Sequence, residues 1–220
     1  MVRRAAWARI LPFATYLFFI FLADMLGRLG WAAHELRWLY GFKIGAVLLV
    51  LVYFWRDYGE LARFDLSARG AALAVAVGLV VLVLWVNLSA GWMVLGTPAG
   101  FDPRTNGVLD WTLAAPRILG AALVVPVMEE LFWRSFLMRW IESPAFLQVD
   151  PAQIKLKSFI VTVILFGVEH ELWLAGMVAG SAYGVLYMRS RSLYSAILAH
   201  GVTNGVLAAW IISTGKWTYW

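Results

Sequence analysis

The chain has 220 residues, 62% hydrophobic and only 14% charged, with 13 Trp, no Cys and a formal charge of +5. A soluble domain carries roughly 25% charged residues, and the mean hydropathy here is +0.76, so lipid must solvate much of the surface. The missing Cys excludes disulfides, thiolate metal sites and a Cys nucleophile, and the positive charge does not imply a nucleic-acid partner, because membrane proteins collect Lys and Arg in cytoplasmic loops.

A membrane-crossing helix needs about 20 mainly apolar residues. Candidate spans lie near 10–29, 37–55, 70–95, 111–140, 157–170, 172–189 and 192–213. The first residues, Met1-Val2-Arg3-Arg4, resemble the charged start of a signal peptide, but the apolar run from Ile10 is long and no small-residue cleavage site follows. A retained first span is therefore expected. No two-residue alternation and no internal repeat is evident. The expected fold is all-α, a polytopic transmembrane helical bundle of about seven spans, forming a single integral membrane domain over 1–220. The stretch 96–110, with Gly96, Pro98, Gly100, Pro103 and Gly107, reads as a loop between spans. The stretch 157–189 is too long for one span and too short for two. Two short helices meeting inside the membrane fit it, because irregular backbone at that depth is tolerated where protein or water surrounds it.

Orientation follows from Lys and Arg. With the N-terminus inside, Arg3, Arg4, Arg9, Arg56, Arg63, Arg69, Arg139, Lys155, Lys157, Arg189 and Arg191 share the inner side, 11 residues against the four outer ones, Arg28, Arg37, Arg104 and Lys216. This positive-inside bias predicts a cytoplasmic N-terminus, and it also favours two short helices over one merged span. Lys43, Arg117 and Arg134 fall inside spans.

An ionised side chain at mid-membrane costs roughly 2.5–3.5 kcal/mol on insertion scales, so the segment Met128-Glu129-Glu130-Leu131-Phe132-Trp133-Arg134 calls for a compensating role. Glu130 and Arg134 are four residues apart on one helix face and can pair. Glu129 points about 100° away and is left without the arginine. Pro126 just upstream removes a backbone hydrogen bond and can open space beside Glu129. His200 and Asn204 are also four apart and face one side of the last span. At about 1.5 Å per residue, Glu129, His170 and His200 lie about 15, 20 and 13 Å from the inner boundary, so three helices bring polar groups to one depth. Several other features read as structural. His34 sits in a loop, Asp24 and Arg117 reach the interfaces, and Gly176, Gly180 and Gly184 form a close-packing stripe.

Glu129-Glu130-x-x-x-Arg134, Phe166-x-x-x-His170 and His200-x-x-x-Asn204 resemble, in order, the three motifs of the CPBP family. That family joins type II CAAX prenyl endopeptidases to bacterial intramembrane proteases. The wording around Glu129 also resembles a bacterial CAAX protease-related subgroup found beside exosortase systems. The motifs place the catalytic core in 111–213 and leave 1–95 as less specific spans. The resemblance implies an intramembrane endopeptidase that cuts a membrane-anchored or lipidated protein near the cytoplasmic side of a bacterial inner membrane. It implies that Glu129 activates water, that Glu130 and Arg134 support it, that His170 helps hold the water, and that His200 and Asn204 stabilise the oxyanion. A general base is a carboxylate whose affinity for protons is raised by burial, and Glu129 is the one not tied to arginine.

Glu129, His170 and His200 are also ligand types for a divalent metal such as zinc. A glutamate-activated water and a metal-dependent reaction both remain open on the sequence. Two other classes compete with the peptidase: a non-catalytic scaffold or immunity-type partner-binding protein, and a proton-coupled transporter, which would be expected to show inverted repeats.

Overall fold

The computed structural model describes residues 2–97 and 100–220, so Met1, Pro98 and Ala99 lie outside the described residues. Seven helices run alternately up and down: α1 (Val2–Arg28), α2 (Leu39–Tyr53), α3 (Ala68–Asn87), α4 (Trp111–Trp140), α5 (Leu156–Val168), α6 (Trp173–Ser190) and α7 (Leu193–Thr214). Four of them, α1, α3, α4 and α7, are long and apolar enough to cross a membrane, whereas α2 and α5 are shorter apolar helices. Their outer faces carry large exposed hydrophobics such as Phe21, Leu49, Leu73, Leu123 and Ile160. Side chains of this kind are stable on the outside only in contact with lipid. The protein is an all-α integral membrane bundle.

The helix ends gather at two poles. At the arginine-rich pole, Arg9 of α1 donates to Glu60 Oε1 at 3.0 Å and to Ser135 Oγ at 2.9 Å, Arg139 donates to Ser135 Oγ at 2.8 Å, and Tyr194 donates to Leu61 O at 2.8 Å. At the arginine-poor pole, Arg37 donates to the carbonyls of Asp102 and Arg104, Leu95 N to Glu171 O, and Phe101 N to Trp217 O. The tail after α7 folds back over this pole, and the Tyr219 hydroxyl bonds Val86 O at 3.3 Å.

The structure differs from the sequence-based boundaries in three places. Helix α1 begins at Val2, because Arg4 pairs with Asp57 at 2.9 Å and Arg9 is buried against Glu60, so the polar first turns have partners. Helix α3 stops at Asn87 rather than 95: the Asn87 amide turns back to Val83 O, and Ser89 and Gly91 follow in a short tight turn. The loop 96–110 contains a two-residue hairpin, β1 (Arg104–Thr105) with β2 (Val108–Leu109). Its Asn106-Gly107 corner has positive φ at both positions, the backbone that a tight hairpin turn demands and that Asn-Gly favours.

The expected break between two short helices falls at 169–172, between α5 and α6. The two helices pack closely because α6 offers glycine there: a Cβ on Gly180 would sit 3.1 Å from the Phe166 ring.

Candidate active site

Helix α4 is not a uniform α-helix. Two π-helical stretches, Gly120–Val124 and Leu131–Leu137, flank an α-helical stretch, Val125–Glu130. Widened turns of this kind often accompany functional sites. Pro126 supplies a local cause, since it has no N–H to give to the preceding turn. One carbonyl left over is Ala121 O, and it accepts a hydrogen bond from Asn204 Nδ2 of α7 at 2.9 Å. Helix α7 can come this close because of Gly201, where a Cβ would lie 2.9 Å from Ala122 O.

The two adjacent glutamates diverge as their 100° spacing requires. Glu130 is fully buried away from the cavity, and its Oε1 accepts from Arg134 Nη1 at 3.0 Å and from His200 Nδ1 at 2.9 Å. Arg134, also fully buried, donates further to Gly180 O at 3.1 Å and lies over the Phe166 ring. Glu129 instead lines a cavity of ≈ 180 Å³ together with His170, His200, Asn204, Tyr183 and Arg117. Its buried Oε2 has no hydrogen-bond partner among the described residues.

The imidazoles are oriented by what holds their Nδ1 atoms. A carbonyl oxygen only accepts, so His170 Nδ1 carries a proton and donates to Phe166 O at 2.7 Å. By the same reasoning His200 Nδ1–H donates to the Glu130 carboxylate. In both rings Nε2 is the nitrogen left for chemistry. Aromatic rings hold the planes: Trp85 meets His170 edge-on, and Tyr183 stacks on His200. The Tyr183 hydroxyl donates to Thr203, whose hydroxyl is shared between the carbonyls of Gly78 and Ala199. Helices α3, α6 and α7 are thereby tied together behind the site.

Residues 111–206 match the family model for the Rce1-like type II CAAX prenyl endopeptidases. Over this segment the chain is similar to that family. The matched segment contains all seven motif residues, from Glu129 to Asn204. No curated protein and no solved structure matches the chain.

Within this bundle the cavity runs from Glu129 towards the arginine-poor pole, past Trp85, Tyr219 and Trp220. It meets there a wider cavity of ≈ 570 Å³ that also takes in Ser89, Glu171 and Leu172. Sequence reasoning missed two residues of the site. Arg117, expected to reach the interface, lines both cavities. Glu169 keeps a buried, unpartnered Oε2 among the described residues and borders the wider one. Their only sequence signal was a charge inside an apolar segment. Glu129, His170 and His200 line one cavity, but among the described residues no three His, Cys, Asp or Glu side chains are disposed to hold a metal ion.

Proposed function

We propose that the protein is an intramembrane endopeptidase in which Glu129 activates a water directly. The observation that carries this reading is that a Glu129 whose buried Oε2 has no partner and a His170 whose Nδ1 is already committed line one cavity. A water between them would donate one hydrogen to Glu129 and the other to His170 Nε2. Its lone pair would then be free to attack a peptide carbonyl, and Glu129 would take up the proton. The oxyanion would meet the Nε2 side of His200 and the second amide hydrogen of Asn204, whose first is held by Ala121 O. Glu130 and Arg134 fix this geometry without touching the substrate. Glu129 would finally pass its proton to the leaving amine.

The substrate class is a membrane-anchored or lipidated protein, reached through the bilayer, and the expected home is a bacterial inner membrane. We place the arginine-rich pole, with the N-terminus, in the cytoplasm. The cavity shape then favours approach from the arginine-poor, outward pole rather than the cytoplasmic approach that the resemblance implied.

The test is cleavage of lipidated peptides by the purified chain in lipid nanodiscs. Glu129→Gln is expected to abolish turnover, and a chelator is expected to leave it unchanged. Full activity of Glu129→Gln would overturn the glutamate reading. Loss of activity in chelator, restored by zinc, would replace it with a metal-dependent one.

A further inference from the structure

Arg117 is a cation without an anion. It stands on α4 one residue after Pro116, and its guanidinium carbon lies 4.3 Å from the Tyr40 ring centroid and 5.1 Å from that of Phe101. Its Nε is buried with no partner, and among the described residues no carboxylate pairs with it. A second cation lies against the same ring: Lys43 Nζ is 4.7 Å from the Tyr40 centroid and 3.9 Å from that of Tyr16. Lys43 is buried and also lacks an ion pair among the described residues. Two like charges around one ring, inside a membrane protein, call for a compensating anion; Glu129 shares the cavity with Arg117 but forms no ion pair with either cation, so a closer anion would still be favourable.

The position narrows what that anion is. Arg117 and His170 both line the catalytic cavity and the wider cavity beside it. A ligand group at Arg117 therefore sits in the neck between the two, further from the bundle centre than Glu129 on the same helix. With Nε covered, the two terminal nitrogens are the donors left, a fork suited to a carboxylate.

We propose that Arg117, assisted by Lys43, is a specificity-determining subsite that binds a carboxylate of the peptide substrate and so decides which peptide bond reaches Glu129. The proposal rests on the peptidase reading. The carboxylate has two possible sources, the peptide's C-terminus or an acidic side chain.

Binding to the Glu129→Gln chain separates the proposal from catalysis. Fluorescent lipidated peptides would be measured in phosphatidylcholine nanodiscs as free acids, as C-terminal amides, and with acidic side chains neutralised. Removing the recognised carboxylate is expected to weaken binding at least tenfold. The added substitution Arg117→Gln is expected to erase that preference, and Arg117→Lys to keep part of it. Equal binding of charged and neutral peptides, no binding of any peptide, or an unchanged preference in Arg117→Gln would each overturn the proposal. Competition by phosphatidylglycerol that depends on Arg117 would overturn it as well, by assigning the subsite to a lipid. With Glu129 intact, cleavage without a carboxylate preference would defeat the Arg117 assignment alone. A carboxylate preference without cleavage would defeat the peptidase reading alone.

Discussion

His200 Nδ1 lies 2.9 Å from Glu130 Oε1, the oxygen that Arg134 also reaches at 3.0 Å. One buried carboxylate oxygen thus joins α4 to α7 and sets which nitrogen of His200 faces the cavity. Removing one partner of a buried ion pair costs about 3–5 kcal/mol, because the other charge is left uncompensated.

Glu130→Ala should therefore lower thermal stability in detergent by several degrees or prevent folding, and abolish cleavage with it. Glu129→Gln should abolish cleavage with the melting temperature unchanged. Paired melting and activity measurements on the two variants check the division. Equal melting losses would contradict it.

Asn204→Ala removes one proposed oxyanion donor and also the partner of Ala121 O. The turnover rate should fall about 10²- to 10³-fold, in the range seen for a lost oxyanion donor, with a smaller change in KM. A loss confined to KM would point to substrate positioning instead.

Gly180→Val brings a branched side chain against Phe166, where even a Cβ would be at 3.1 Å. Overpacking of this kind costs about 1–3 kcal/mol. Phe166 also carries the carbonyl that orients His170 and the ring beneath Arg134. Activity should consequently fall further than the stability loss alone explains, and the variant's activity at low temperature, where it stays folded, is the measurement that checks this.

Acid should loosen the arginine-rich pole. Burial alone would push the Glu60 carboxyl up, but the Arg9 charge and hydrogen bonds from Arg9 and Ser135 outweigh it and hold it below its ordinary value of 4.5. A depressed folded value means that the carboxylate contributes stability above the ordinary value. That contribution is lost as pH falls through the folded one. Glu60→Gln should be less stable than the parent at neutral pH, and the gap should close in acid. Melting curves between pH 7 and pH 3 test this, and a gap that widens in acid would refute it.

Sequence alone determined the all-helical membrane character, seven helices with all but the start of α1 and the end of α3 close to their observed limits, the break near His170 and the divergence of Glu129 from Glu130. These follow from local quantities: apolar run length, 3.6-residue periodicity and the charge of connecting loops. The Asn-Gly corner was also legible, though the reading passed over it. Only the tertiary structure decided that Glu130 serves His200 as well as Arg134, that Asn204 caps a carbonyl near Pro126, and that Arg117 faces the cavity. Each of these depends on which groups of one helix meet another 70 or more residues away in the chain. Close packing at Gly201 against Ala122 O, and at Gly120 where a Cβ would lie 3.0 Å from the Tyr40 hydroxyl, brings those groups together rather than any local spacing.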